Sequence, residues 1–188
     1  MRVVVGITGA SGVSIGLRVV EVLNESGNNI DLIISKPALR ILQAETDISL
    51  DEVTKKATFV WDDYEIDAPI ASGSCSFDGM VIVPCSMKTL GEIASGISQT
   101  LISRVADVCL KERRKLILVP RETPLNVIQL ENMLKVARAG AIVLPACPAY
   151  YTKPKTVEDC IDFIAGRILD MLAVQHSLYK SWEELREG

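Results

Sequence analysis

The sequence predicts a single α/β domain built on a doubly wound, mainly parallel sheet with helices on both faces. Five short, almost continuously apolar runs rich in β-branched residues recur along the chain, as strands covered on both faces of a parallel sheet require. Segments of helical periodicity lie between them, so strand and helix alternate. A length of 188 residues suits one domain with a substantial core.

The first strand is "RVVVGI" (2–7), followed by a glycine-rich turn and a helical pattern over 12–26. "IDLIIS" (30–35) gives the second strand and 36–46 the next helix. Residues 49–76 have mixed periodicity and are expected to cross the sheet edge as a short strand and loop. "GMVIVP" (79–84) is the third apolar run, and the helical stretch 87–112 after it should break near Gly96. "KLILVP" (115–120), a helix over 126–139, "AIVLP" (141–145) and a helix over 156–174 complete the pattern. The domain is expected to span 1–175, with 176–188 a tail that contributes to a substrate pocket or to subunit contacts. No linker, repeat or low-complexity tract interrupts it.

A net charge of −4 argues against nucleic acid as partner, because neutralising phosphates needs a basic face. There is no run of about 18 apolar residues and no signal-peptide core, so a soluble, cytoplasmic protein without a membrane span is expected. Five cysteines, at 75, 85, 109, 147 and 160, form no C-x-x-C pair and are expected as buried free thiols in a reducing compartment. A hydrophobic fraction of 48% is high for a small soluble domain and suggests apolar surface hidden between subunits.

Doubly wound sheets bind ligands beyond the carboxyl ends of their strands. "TGASG", "SKP", "PCSMKT", "PRETPL" and "PACPAYY" therefore gather along one edge. "GITGASG" is spaced G-x-x-G-x-x-G and lacks the close first pair of the dinucleotide fingerprint. At the end of the second strand, where a ribose-binding acid belongs, the chain has Ser35 and Lys36. A glycine and serine turn opening a helix still offers amide donors and a positive dipole end to a single phosphate, which favours a mononucleotide or FMN over NAD. "PCSMKT" repeats the device, with Ser86 as N-cap and Thr89 in the first turn.

Arg104 and Lys111 are seven residues apart on one helical face, where a solvated charged surface is the default. Arg121 and Glu122 follow a strand end, where a buried arginine can contact phosphate in bidentate fashion. "DDYEID" (62–67) has the wrong offset for an aspartate-rich magnesium motif and reads as solvated loop acids. His176 has no cysteine or histidine at ligand spacing, so no metal site is expected. No G-x-S-x-G elbow occurs, and with a single histidine for any triad a hydrolase is disfavoured.

Taken in order from residue 2 to about 175, "GITGASG", "APIASGS", "DGMVIVPCSMKTL", "LISRVADVCLKERRKLILVPRETPL", "LENML", "PAYYTKP" and "GRILDML" resemble the UbiX-type flavin prenyltransferases. The resemblance implies a Rossmann-like, flavodoxin-like homo-oligomer, in this family usually a dodecamer. It also implies transfer of the dimethylallyl group of dimethylallyl monophosphate to N5 and C6 of reduced FMN, without a metal. The product is the cofactor of partner UbiD-type decarboxylases.

By the same resemblance, Gly9, Ala10, Ser11, Ser35, the turn of Ser86, Met87, Lys88 and Thr89, and Arg121 should hold FMN. Tyr151 and Arg167 match prenyl-phosphate positions, with Arg104, Lys111 and Glu122 near them, some from a neighbouring subunit. Tyr151 and Trp182 would offer π faces to the allylic cation-like fragment. Ser11 and Glu45 match the pair that manages protons at flavin N5 and during ring closure. Gln129 stands where a histidine is common, Thr100 where an asparagine is common, and "PAYY" replaces "PAFY". None of these removes an expected ligand. The rival readings are an FMN-dependent cysteine decarboxylase, whose early active-site histidine this chain lacks, and a non-catalytic FMN carrier or assembly subunit.

Overall fold

A computed structural model of the chain describes residues 1–187. The elements run β1 (Arg2–Ile7), α1 (Val13–Glu25), β2 (Asn29–Ile34), α2 (Lys36–Glu45), α3 (Leu50–Thr54), β3 (Phe59–Trp61) and a 3-10 turn (Pro69–Ala71). They continue β4 (Gly79–Cys85), α4 (Met87–Ala94), α5 (Leu101–Lys111), β5 (Lys115–Pro120), α6 (Val127–Arg138), β6 (Ile142–Val143), α7 (Val157–Leu172) and α8 (Glu184–Glu187). The six strands form one sheet in the order β3-β2-β1-β4-β5-β6, and every pairing is parallel.

Alternation along each strand divides the core. Val3, Val5, Ile7, Val81, Val83, Ile117 and Val119 pack beneath α1, α2 and α7, while Val4, Met80, Ile82, Leu116 and Leu118 pack beneath α4 and α5. Both faces are thus covered, which is why the strands read as continuous apolar runs. The strand order reverses between β1 and β4, the crevice where such sheets hold ligands.

The irregular stretch 49–76 supplies the edge strand β3, held at its base by the buried Asp31 and its half-buried partner Arg2. Asp31 is fully buried on β2; its carboxylate accepts from Arg2 Nε at 2.6 Å, from Arg2 Nη2 at 2.9 Å and from Trp61 Nε1 at 2.9 Å. Asp31→Ala leaves three N–H donors, two of Arg2 and one of Trp61, without an acceptor. Because Arg2 stays partly solvated, the expected loss is about 2 kcal/mol of unfolding free energy, read from the urea midpoint.

Two sequence expectations shift. The run 141–145 pairs as a strand only over Ile142–Val143, although Leu144 and Ala146 still donate to the β5 carbonyls of Leu118 and Pro120; Pro145 lies between them, where its missing N–H falls on the open edge of the sheet. The stretch 87–112 breaks as foreseen at Gly96, where φ is +67°, and restarts at Thr100, whose side chain accepts from Ser103 N–H. All five cysteines are free, but only Cys85 and Cys109 are buried, their thiols pushed up to about 12 by burial; Cys75 and Cys160 are half-buried and Cys147 is exposed. Among the described residues no helix is long and apolar enough to cross a membrane.

Candidate functional site

Three strand ends meet at a cleft of about 420 Å³ lined by Thr8, Gly9, Ser35, Asp63, Ser86, Thr89 and Thr100, among others. Thr8 ties two of those ends together. Its hydroxyl donates to Pro84 O at 2.7 Å and accepts from Ser86 N–H at 2.8 Å, so the β1 turn and the β4 turn are one rigid unit. Ser86 and Ser35 cap α4 and α2, accepting from Thr89 N–H and Ala38 N–H at 3.3 Å each. Gly9 lies so close to α2 that a Cβ there would stand 2.4 Å from Pro37 Cβ. Only glycine leaves this wall of the cleft open.

The α1 N-terminus has no side-chain cap from its own first turn. Instead Glu45, at the end of α2, accepts from Gly12 N–H at 2.9 Å and Val13 N–H at 3.1 Å. The carboxylate therefore sits one residue from Ser11, and the expected proton-handling pair is adjacent in space although 34 positions apart in sequence. The hydroxyl-lined crevice at the strand-order reversal, with the exposed Lys88 at its rim, suits a monophosphate, but the expectation that the α1 amides serve it is corrected, because the Gly12 and Val13 N–H groups are taken by the Glu45 carboxylate. The residues present fit FMN.

Asp63 was not foreseen as part of this cleft. The reading of 62–67 as solvated loop acids is corrected there: Asp63 is buried, its Oδ1 accepts from Ile102 N–H at 3.0 Å, and its backbone carbonyl accepts from Leu101 N–H at 2.7 Å. Burial raises its carboxyl above the ordinary range, although the Ile102 amide opposes the shift. The signal that could have found it is position, since "DDY" follows the β3 end and so belongs to the ligand-bearing edge.

The residues expected at the prenyl phosphate fall into two separate groups. Arg104 donates from Nε to Ala71 O at 3.1 Å and from Nη1 to Asp107 at 3.0 Å, and Lys111 pairs with Glu112 beside Gly73. Both lie on α5, and Lys111, its last residue, sits near the start of β5 at the amino edge of the sheet. Tyr151, Arg167 and Trp182 lie on the α7 side, the opposite face. The Tyr151 ring packs edge-on against Trp182 at 5.2 Å and against Phe163 at 6.0 Å. Arg121 and Glu122 follow β5 as expected, but both are exposed in the single chain; the expectation of a buried arginine is corrected, because nothing in one copy covers that turn. Glu122 accepts from Thr123 N–H at 3.0 Å. Among the described residues no three His, Cys, Asp or Glu side chains converge as a metal site.

A parallel doubly wound sheet with a hydroxyl-lined crevice at its switch point suits a mononucleotide, and the Flavoprotein family profile, which matches residues 1–169, defines the class as that of the flavoproteins. The chain belongs to this family and, within it, to the UbiX-type flavin prenyltransferases. The flavin prenyltransferase UbiX of Methanocaldococcus jannaschii is 52% identical over 182 residues, covering 97% of this chain and 98% of the relative. The crystal structure of AnUbiX (PadA1) in complex with FMN and dimethylallyl pyrophosphate superposes with a TM-score of 0.94 at 46% identity, covering 96% of each chain. A dodecameric FMN-dependent UbiX-like decarboxylase from Escherichia coli O157:H7 superposes with a TM-score of 0.94 at 42% identity, covering 97% of this chain and 99% of that one.

Proposed function

We propose that this protein joins the dimethylallyl group of dimethylallyl monophosphate to N5 and C6 of reduced FMN, and that the prenylated flavin is delivered to a UbiD-type decarboxylase. The observation that carries the reading is the near-complete superposition, at 46% identity, on a relative described as holding both FMN and a dimethylallyl phosphate ester. The switch-point crevice of this chain supplies the matching flavin cleft.

Reduced FMN, when bound, supplies the nucleophilic N5 and C6 positions. Gly9, Ala10, Ser11, Ser35 and the Ser86–Thr89 turn hold it, with Arg121 reaching it from the β5 turn. Cleavage of the prenyl C–O bond concentrates negative charge on the departing phosphate. Arg167, Tyr151, Arg104 and Lys111 take up that charge through donors fixed beforehand, with Glu122 orienting the basic groups. Tyr151 and Trp182, packed edge-on and exposed in the single chain, offer π faces to the allylic cation-like fragment in a slot that a neighbouring copy would close to water. Ser11 and Glu45, adjacent at the α1 N-terminus, manage the protons at N5 and at ring closure.

A single chain separates Arg104 and Lys111 from Arg167 by the thickness of the sheet, so the complete site needs a second copy. The exposed apolar side chains of α6, with Val127, Ile128, Leu130 and Leu134 each at least half exposed, give such copies a contact face. A dodecamer, as described for the Escherichia coli relative, is the proposed assembly. Residues 176–188 are assigned to the prenyl pocket as a tail, Gly188 lying outside the described residues. The cysteine decarboxylase reading is not favoured, since the sole histidine is His176.

The test is anaerobic incubation with reduced FMN and dimethylallyl monophosphate, then mass spectrometry of the released flavin. A gain of one prenyl unit is expected. Flavin bound but returned unmodified, with either the monophosphate or the diphosphate as donor, overturns the reading in favour of a carrier.

A further inference from the structure

After α7 the chain reverses and lays residues 173–182 back across that helix. Gly166 permits this. A Cβ at position 166 would stand 2.6 Å from the Tyr179 ring and 2.8 Å from the His176 ring, so both rings rest on the bare backbone of α7. They lie 5.6 Å apart, and Tyr179 continues into the Phe163 ring at 4.8 Å, which leads to Tyr151. The tail is thereby packed against the helix turn that carries Arg167.

Three groups of this segment converge on one carboxylate. Asp170 Oδ2 accepts from Arg167 Nη1 at 2.8 Å and from the Tyr179 hydroxyl at 2.5 Å, and Oδ1 lies 3.0 Å from His176 Nε2. The histidine tautomer follows from its other nitrogen. Nδ1 accepts the Leu178 backbone N–H at 3.2 Å and so carries no proton, which leaves Nε2–H to donate to Asp170. His176 is nearly enclosed, with 7% of its side chain exposed. Burial alone would raise the Asp170 carboxyl, but the hydrogen bonds from Tyr179 and His176 outweigh it and hold the group below its ordinary value.

The consequence falls on the guanidinium. Arginine has five N–H donors in a planar fork. The two on Nη1 go to Asp170 and to the Tyr179 oxygen at 3.3 Å. The Nε and Nη2 donors, which form the side-on edge suited to a phosphate, have no partner among the described residues. One end of the fork is pinned and its opposite edge is presented.

We propose that Asp170, Tyr179 and His176 are positioning residues that pre-orient Arg167 toward the phosphate of the prenyl donor, with Asp170 as the hub. The proposal rests on the reading of Arg167 as a prenyl-phosphate ligand and adds the groups that aim it. Pre-orientation of this kind acts on donor binding and leaves the flavin cleft, at the far ends of β1, β2 and β4, untouched.

The experiment measures KM for dimethylallyl monophosphate, kcat, FMN affinity and melting temperature for Asp170→Asn, Tyr179→Phe and Arg167→Ala, and for the double variant Arg167→Ala with Asp170→Asn. Asp170→Asn keeps the shape and removes the charge, and is expected to raise KM about tenfold with kcat within about twofold and FMN affinity unchanged. Tyr179→Phe should shift KM in the same direction by a smaller factor. In the Arg167→Ala background the Asp170→Asn effect should vanish, since there is nothing left to aim. Persistence of the effect in that background, equal loss of FMN affinity, or a lower KM in Asp170→Asn overturns the positioning role while Arg167 keeps its own. If Arg167→Ala itself turns over normally, the ligand reading fails and the positioning role with it.

Discussion

Arg167→Ala is expected to lower kcat/KM for prenyl transfer by roughly a hundredfold or more, corresponding to about 3 kcal/mol of lost transition-state stabilisation, while FMN still binds. The size follows from the chemistry, because a phosphate ester leaving with its electrons needs a cation whose position is set before the bond breaks. Arg167 meets that requirement, held at Nη1 by Asp170 and Tyr179. Selectivity follows from the geometry, because the side chain lies on α7 whereas the flavin cleft is lined from the strand turns after β1, β2 and β4. Flavin titration by fluorescence quenching and single-turnover mass spectrometry on the same preparation separate the two quantities. Loss of FMN binding in parallel with turnover would argue that Arg167 supports the fold instead.

Gly16→Ala is expected to destabilise the protein by about 3 kcal/mol or more and to lower the melting temperature by roughly 10 °C. Gly16 is where α1 crosses β4, and a methyl group there would stand 2.4 Å from Val83 O and 3.3 Å from two carbons of Ile7. The obstacle is backbone in a central strand, not the end of a side chain that could swing away. Alanine gains helix propensity of up to about 1 kcal/mol at such a site, too little to offset lifting a helix off the sheet. Differential scanning calorimetry of the purified variant reads the outcome, and an unchanged transition would show that α1 can slide along the strand without cost.

The strands and the ligand-bearing edge were legible because burial on both faces writes a continuous apolar run, and because glycine and serine turns after β1 and β4 carry their own chemistry. Ser86 could be placed as an N-cap from the same logic and does cap α4, whereas Ser35, placed in the fold by the sequence only as the end of the second strand, caps α2 as well. The place of Asp63 on the ligand-bearing edge could be read from its position after β3, but its burial could not, since that depends on a strand of three residues, too short to show a period. The exposure of Arg121 was equally hidden, because a strand end predicts position along the sheet but not what covers it. The network around Asp170 was beyond reach for another reason. Arg167 and Asp170 announce themselves as a pair three apart on a helix, but the return of the tail is enabled by the side chain that Gly166 does not have.

The division of basic residues between the two faces of the sheet carries a consequence for heredity. In the proposed assembly each copy lends Arg104 and Lys111 to one neighbour and relies on another for its own, so a lesion in either group is felt in a pocket belonging to a different molecule. Two defective alleles, one damaged at Lys111 and one at Arg167, would then share a cell to better effect than either alone, because mixed particles contain some pockets built wholly from intact halves.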